Sequence, residues 1–388
     1  MSERYLERVL LGEERGAVSW VIRGIAWPFS LVYRAGLALF LAAYSLGVRR
    51  RHRLRVPVVS VGNLTFGGTG KTPAVEAVCG MLIEQGRKVV VLSRGHGGSA
   101  TGPLVVSDGK SITATAAECG DEPVVLARAL PGVGIVVARD RRASGDLACA
   151  QFEPDVVVLD DGLQYWQLHR DLDIVVVDAL RPFGSGCVMP MGDLREPAGG
   201  LSRAGVVLLN NARSIDEKAG RALSDAICRL APNAAILRCG RRPCRLTGPN
   251  GEPAQLDWLR GRRVVAFCGI GRPESFFDTL ESLGADVRER LPFADHHSYT
   301  QADIALVESR RESLGAEAVV TTEKDRARLG PVVSTVEGPD PELVEGRIKS
   351  LYVLGVELEI EERSRLAELL ARVVDGARQA ADARKTAD

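Results

Sequence analysis

The chain has 388 residues, enough for two domains or one large one, and its 45% hydrophobic and 26% charged residues are those of an ordinary globular protein. This composition excludes a globally disordered chain. The formal net charge is zero, but ten arginines and four acidic residues fall within residues 1–55, so this end carries a charge of about +6. Eight cysteines occur without a C-x-x-C pair. We therefore expect reduced, mostly buried thiols of a cytosolic protein and no zinc site.

The N-terminal segment is apolar and aromatic, and a basic cluster follows it. Two arginines interrupt the apolar residues 17–48, and we expect Pro28 to kink or break a helix there. The longest uncharged run, 35–48, has 14 residues, short of the ~20 that span a bilayer. Five arginines within 49–55 come next. This pattern is typical of a segment that lies in a membrane interface.

Two other interpretations of this segment stay open. It could form a helical hairpin packed on the protein's own core, with solvated arginines. The arginine run could also bind nucleic acid, but basic residues elsewhere form no long stripe, so we expect no nucleic-acid partner.

The next pattern is typical of a phosphate-binding loop. A β-branched run at 56–61 predicts a buried strand, and a glycine-rich turn then leads to a helical pattern. Loop N–H groups and the positive helix end would bind phosphate oxygens, Lys71 would reach the β- and γ-phosphates, and Thr72 would bind Mg²⁺. The predicted nucleotide-binding residues are Gly67, Gly68, Thr69, Gly70, Lys71 and Thr72.

One position departs from the G-x-x-x-x-G-K-[ST] pattern, because Thr65 stands where the first glycine is expected. We interpret it as a tolerated variant. The alternative is a glycine-rich β-turn with an exposed lysine.

Short Val- and Leu-rich runs alternate with helical patterns after this loop, and they predict a parallel sheet with helices on both faces. They lie at residues 88–94, 135–138, 155–161, 173–178 and 205–209. The third run ends in Asp160 and Asp161, at the strand end where open α/β sheets bind ligands. We predict that Asp160 binds Mg²⁺ and that Asp161 orients metal, water or substrate.

A long loop rich in glycine and proline spans residues 181–197, and loops of this length are often functional. Its best polar candidates are Arg195, for phosphate charge, and Glu196, for a metal or a hydroxyl group. Taken alone, each fits an ordinary surface charge better.

The second half of the chain predicts a smaller α/β domain. We expect its boundary near 232–245, where prolines and arginines cluster, and we divide the chain into 1–55, 56–240 and 241–388. One of its strands, 318–322, ends in Glu323-Lys324-Asp325. This segment either contacts nucleotide or substrate or caps a helix with salt-bridging neighbours. The remaining predictions are a strand at 263–268, a loop at 331–349, a strand at 351–360 and a helix at 361–387.

Six linked motifs resemble one family in order and spacing. They are Gly62-Asn63 with Gly67–Pro73, Gly120–Pro123, Asp160–Gln164, Leu194–Pro197, Asp295–Tyr299 and Thr322–Asp325. From about Val56 to Leu329 the chain resembles the tetraacyldisaccharide 4'-kinase (lipid A 4'-kinase) family, and the apolar N-terminus also fits it.

The resemblance implies transfer of the γ-phosphate of ATP to the 4'-hydroxyl of a diglucosamine that is already acylated and carries a 1-phosphate. It implies a peripheral enzyme on the cytoplasmic face of a Gram-negative inner membrane, with two α/β domains around a cleft. The implied partners are the acylated disaccharide lipid, ATP with Mg²⁺ and the membrane surface, and we expect a monomer.

The resemblance also assigns catalytic roles to Asp121 and to a histidine of Asp295-His296-His297. We favour His296 over His297, because it directly follows the motif aspartate. A sugar hydroxyl is a poor nucleophile, so a carboxylate must accept its proton. Lys71 and Arg195 would neutralise the phosphoryl charge.

Two other functions are weighed against this one. A regulatory P-loop ATPase or GTPase would need no lipid acceptor, and the Asn-Lys-x-Asp motif usual in GTPases is absent from the sequence. A soluble kinase or ligase for a small metabolite would leave the apolar segment and Arg49–Arg55 unexplained.

Overall fold

The computed structural model describes residues 9, 14, 16–295, 297–329, 348 and 350–385. The α-helices are α1 (Ala17–Ser45), α2 (Lys71–Glu84), α3 (Ala116–Cys119), α4 (Asp121–Ala129), α5 (Arg141–Phe152), α6 (Glu217–Leu230), α7 (Pro273–Ser282), α8 (Gln301–Ser313), α9 (Glu323–Leu329) and α10 (Arg363–Lys385). The strands are β1 (Val58–Gly62), β2 (Val89–Ser93), β3 (Leu104–Asp108), β4 (Gly134–Val137), β5 (Val156–Asp160), β6 (Leu172–Asp178), β7 (Val206–Asn210), β8 (Ala235–Thr247), β9 (Pro253–Ala254), β10 (Arg263–Cys268), β11 (Asp286–Pro292), β12 (Ala318–Thr322) and β13 (Leu351–Ile360).

The strands form one mixed, 13-stranded sheet in the order β11-β10-β12-β13-β8-β7-β6-β1-β5-β2-β4-β3, and β9 pairs with β8. Neighbouring strands are parallel except at three pairs: β3 with β4, β8 with β9, and β8 with β13. The strand before the phosphate-binding loop, β1, lies directly beside β5, the strand that ends in Asp160. The predicted nucleotide loop and acidic pair are therefore neighbours at the carboxyl ends of two adjacent strands.

The central strands are buried on both faces. Val59 and Val61 of β1 pack in one core with Val78 of α2, whereas Val58 packs in another core with Ala148 of α5. Because successive side chains point to opposite faces, such strands must be apolar throughout. The predicted parallel sheet covered by helices is confirmed.

The two halves of the chain share a strand. Residues 235–238 of β8 pair in parallel with β7, and residues 239–247 pair antiparallel with β13. The expected boundary between residues 240 and 241 falls inside this strand. Pro243 is tolerated because it lies opposite Val356, where the β8–β13 register shifts. The position of a domain boundary stays a prediction.

Helix α1 is a single 29-residue helix with Pro28 in its interior. Of the kink or break predicted at Pro28, the break does not occur: the proline removes one backbone hydrogen bond, and the helix continues on both sides. A kink at this position stays a prediction. Among the described residues, α1 is long and apolar enough to cross a membrane by length and composition, with a mean hydropathy of 1.5. The predicted loop at 331–349 lies almost entirely outside the described residues.

Candidate active site

The phosphate-binding loop is shaped by its glycines and by one asparagine. Gly70 has φ of 99°, and a Cβ there would lie 2.6 Å from Nδ2 of Asn210, so no other residue fits without displacement. Asn63 lies inside the loop, where its Nδ2 donates to the carbonyl of Thr65 (2.8 Å) and to Oγ1 of Thr69 (2.9 Å). Its Oδ1 accepts from Nζ of Lys71 at 3.1 Å. The loop is thus held in shape by its own side chains.

Thr65 is buried and forms an antiparallel bridge with Leu194. This extended conformation suits a β-branched residue and needs no glycine. The departure from the motif therefore has a structural reason.

The acidic pair lies beside this loop. Asp160 is buried and accepts from Oγ of Ser93 at 2.9 Å. Burial raises the pKa of Asp160, and the nearby charges of Glu122 and Asp161 raise it further. Burial also acts to raise the pKa of Asp161, but Lys71 and Arg195 outweigh it, so the net shift is downward.

Asp161 joins the two cations of the site. Nη1 of Arg195 lies 2.7 Å from its carboxylate, and Nζ of Lys71 lies 3.5 Å from Oδ1. Burial lowers the pKa of Lys71, although Asp161 opposes that shift. Arg195 also stacks over the ring of Phe66 at 4.9 Å.

The residues present fit a Mg²⁺ ion. Burial raises the pKa of Asp160, and two neighbouring carboxylates raise it further. A divalent cation would relieve the repulsion between these carboxylates. The Thr72 hydroxyl stands in the first turn of α2, where phosphate-binding loops supply an oxygen to the metal.

Glu196 has a different setting. Its side chain is 2% exposed, and Nη2 of Arg203 lies 2.7 and 2.8 Å from its two oxygens. Nε2 of Gln164 also donates to it at 2.8 Å. These contacts commit both oxygens of Glu196 to the protein, and its proposed role as a metal ligand stays a prediction.

A cleft of about 900 Å³ brings most of the predicted site together. The cleft is lined by the whole nucleotide loop and by Asp121, Asp160, Asp161 and Arg195. Tyr33 of α1 also lines it, and its hydroxyl donates to the carbonyl of Arg195 at 2.6 Å. The apolar helix therefore borders the cleft that contains the nucleotide loop.

Two adjacent histidines, His296 and His297, are the candidates for the partner of Asp121. His296 lies outside the described residues. Nε2 of His297 lies 3.1 Å from Oδ2 of Asp303, and its ring stacks on Phe293 with centroids 4.8 Å apart. His297 is thus occupied by neighbours from its own half of the chain, whereas Oδ2 of Asp121 lies 2.8 Å from Nε of Arg328.

Glu323 and Lys324 form the salt bridges that one interpretation predicted, and their contact with nucleotide or substrate stays a prediction. They line the cleft, and they also begin α9 and form ion pairs. Glu323 lies 2.7 Å from Arg245, and Lys324 lies 3.2 Å from Glu122.

Sequence reasoning missed Arg141. Its side chain is 7% exposed and lines the cleft, and its guanidinium stacks 4.2 Å from the ring centre of Tyr165. Within the described part of the chain, its Nε has no hydrogen-bond partner. The available signal was the segment Arg139-Asp140-Arg141-Arg142, which begins one residue after β4.

Comparisons with known proteins agree with this geometry. A model of the family "Tetraacyldisaccharide-1-P 4'-kinase" (LpxK) matches residues 22–375. The tetraacyldisaccharide 4'-kinase of Syntrophus aciditrophicus is 42% identical over 312 residues, which cover 78% of this chain and 83% of that protein. Its counterpart in Geobacter sulfurreducens is 41% identical over 344 residues, covering 86% and 93%.

A solved structure is also similar over nearly the whole chain. The crystal structure of LpxK from Aquifex aeolicus in complex with ATP has a TM-score of 0.71 and 28% identity. The match covers 91% of this chain and 99% of that chain.

Proposed function

We propose a mechanism from the premise that this chain belongs to the tetraacyldisaccharide-1-P 4'-kinase family. It is an ATP-dependent kinase of lipid A biosynthesis that phosphorylates the 4'-hydroxyl of tetraacyldisaccharide 1-phosphate. One observation carries the mechanism: the nucleotide loop, Asp121 and the apolar helix border the same cleft of about 900 Å³. A regulatory ATPase or GTPase would have no use for an acceptor space beside such a helix.

The nucleotide loop binds the phosphates of ATP through its N–H groups, and Lys71 neutralises charge at the β- and γ-phosphates. Thr72 and Asp160 would hold Mg²⁺, which when bound spreads the negative charge of the transferred group. Asp161 aligns Lys71 and Arg195, since it contacts both cations. Phosphoryl transfer needs mainly this positioning and charge neutralisation.

Asp121 accepts the proton of the 4'-hydroxyl as that oxygen attacks the γ-phosphate. His296 stays the proposed partner of Asp121. Its competitor, His297, is less suited to that role because Asp303 already binds its Nε2.

Arg141 binds the 1-phosphate of the acceptor. It is a buried cation on the wall of the same cleft. Its Nε has no hydrogen-bond partner among the residues that the structure describes. A phosphate supplies the charge and the oxygens that such a guanidinium needs.

We also propose that the enzyme is a monomer held on the cytoplasmic face of the inner membrane by α1. Large apolar side chains of this helix face outward, with Trp20 77%, Leu39 74% and Val32 70% exposed. The opposite side is fixed to the loop at 181–197, because Ser30 donates to the carbonyl of Val188 at 3.0 Å and Tyr33 binds that of Arg195. This docking favours a helix that lies along the interface over one that crosses the bilayer.

The experiment that tests the function combines the full-length protein with radiolabelled ATP and tetraacyldisaccharide 1-phosphate in detergent micelles. We expect labelled lipid from the wild type and none above background from Asp121→Asn, which should still bind ATP. Folded wild-type protein that hydrolyses ATP without labelling the lipid would overturn the proposed acceptor. An Asp121→Asn variant with wild-type turnover would refute the role of Asp121 as base.

A further inference from the structure

Asp121 is held by an arginine from the other half of the chain. Nε of Arg328 in α9 lies 2.8 Å from Oδ2 of Asp121, the first residue of α4. The Arg328 side chain is 3% exposed and that of Asp121 is 29% exposed. Because this charge-assisted hydrogen bond lies largely out of water, it fixes the direction of the carboxylate more firmly than an exposed pair would.

Arg328 is itself held from several sides. Its Nη1 donates to the carbonyl of Gly269 at 2.6 Å and lies 3.3 Å from Oδ1 of Asp325. Asp325 is fully buried and accepts from the Gly269 N–H (3.0 Å), the Tyr299 hydroxyl (2.9 Å) and Oγ1 of Thr322 (2.6 Å). A buried carboxylate with this many donors has little freedom to turn, so it is a firm anchor for the guanidinium.

A second ion pair lies next to the first. Lys324, one turn before Arg328 on α9, lies 3.2 Å from Glu122, which directly follows Asp121. The same network reaches the nucleotide loop, because the turn after Gly269 approaches it: a Cβ on Gly271 would lie 3.8 Å from the Gly68 nitrogen. The start of α4 is therefore in contact with this cluster of the second half, and Gly271 of the adjoining turn lies beside Gly68 of the nucleotide loop.

We infer that Arg328 is a positioning residue for Asp121 and that the segment Thr322–Asp325 anchors Arg328. This inference rests on the proposed role of Asp121 as base. Arg328 holds Oδ2, so Oδ1 is the oxygen that receives the proton of the acceptor hydroxyl. In a loose phosphoryl transfer, alignment of the attacking oxygen matters more than base strength.

The test compares Arg328→Met and Arg328→Lys with the wild type in the micelle assay, with kcat and both KM values measured. Loss of a charged hydrogen bond predicts a fall in kcat of about 10- to 100-fold for Arg328→Met. The KM for ATP should stay within about twofold, since Arg328 does not belong to the nucleotide loop. Arg328→Lys should recover part of the lost kcat, because it restores the charge without the planar fork.

Arg326→Met is the matched control, with the same change on the same helix, and it should keep wild-type kcat. Circular dichroism and the thermal midpoint of each variant verify that it is folded. An Arg328→Met kcat equal to that of an active wild type overturns the inference and leaves the proposed function intact. A loss matched by Arg326→Met, or one that Arg328→Lys does not reduce, would also overturn it, whereas an inactive wild type would contradict the proposed function itself.

Discussion

At the scale of single residues, Arg141 is a buried cation on the wall of the cleft, and its position calls for an external anion. Arg141 is stacked on Tyr165, and burial lowers the pKa of its guanidinium while Arg94 lowers it further. The acidic pair Asp160 and Asp161 opposes this shift from a distance. A buried guanidinium without a full set of hydrogen-bond partners costs free energy unless an anionic ligand pairs with it.

Replacing Arg141 by methionine should therefore weaken binding of the acceptor lipid and leave binding of the nucleotide unchanged. We expect the KM for tetraacyldisaccharide 1-phosphate to rise at least about tenfold, the usual worth of one charged hydrogen bond. The KM for ATP should stay within about twofold. Arg142→Met is the control, because Arg142 is exposed and paired with Asp140 at 2.8 Å. A variant that loses ATP affinity and keeps acceptor affinity would move Arg141 to the phosphates of ATP.

At the scale of elements, α1 presents an outer surface that soluble proteins rarely expose. Exposed large apolar side chains of the helix are Val18, Trp20, Val21, Ile25, Trp27, Phe29, Leu31, Val32 and Leu39. A continuous surface of this kind marks a membrane or partner contact. Its inner side is fixed to the loop that carries Arg195, so a lipid that enters beside α1 would arrive next to the phosphoryl-transfer site.

Substituting serine for Trp20, Trp27 and Leu39 together should lower co-sedimentation with anionic liposomes at least about tenfold, because each buried apolar side chain contributes roughly 1.5–3 kcal/mol. Serine at Ile83, Leu306 and Leu314 is the matched control, since these residues are exposed apolar side chains outside α1. Binding lost equally in both triple variants would indicate general loss of apolar surface and contradict a specific role for α1.

The sequence predicted those elements whose local pattern decides their structure. The Val- and Leu-rich strands β1, β2, β5 and β6 are buried on both faces, so their apolar runs could be recognised directly. The edge strand β11, Asp-Val-Arg-Glu-Arg-Leu-Pro, is half exposed and charged, and it gave no such signal. The expectation of a kink or break at Pro28 followed a local rule, and the helix continues through this position without a break.

The residues of the site also fall into those that a local sequence pattern predicts and those that it does not. Lys71, Thr72 and Asp160 belong to motifs in which strand, loop and helix follow each other in sequence, so their proximity could be predicted. The contact of Arg328 with Asp121 joins residues 207 positions apart. It depends on how α9 packs against α4, and no local pattern encodes that approach.

At the scale of the whole molecule, the cleft is bordered by charged contacts between the two halves. Nη1 of Arg272 lies 2.5 Å from Asp178, and Nη2 of Arg241 donates to the carbonyl of Gly68 at 3.1 Å. A third contact centres on Arg245, which lies 3.6 Å from Glu76 of α2 and 2.7 Å from Glu323 of α9. Two carboxylates thus share one guanidinium across the cleft.

This arrangement makes stability depend on the protonation of Glu76. Burial raises the pKa of Glu76 from 4.5 to about 7, and the charge of Glu323 adds to the shift while Arg245 opposes it. A carboxyl group with a raised pKa in the folded state binds its proton more tightly than in the unfolded state. Its contribution to stability is therefore fully present below about pH 4.5 and is lost as the pH rises towards about 7.

Glu76→Gln removes that loss, so it should stabilise the protein more at about pH 8 than at about pH 5. We expect the gain in unfolding free energy at the two pH values to differ by an amount on the order of 2 kcal/mol, with a correspondingly larger rise in the thermal midpoint at about pH 8. The measurement is thermal unfolding of both proteins at the two pH values. Glu84→Gln serves as the control on the same helix, because Glu84 is 60% exposed and should show no such difference. A larger gain for Glu76→Gln at the lower pH would mean that ionised Glu76 stabilises the fold, and that Arg245 pairs with it strongly enough to offset both its burial and the charge of Glu323.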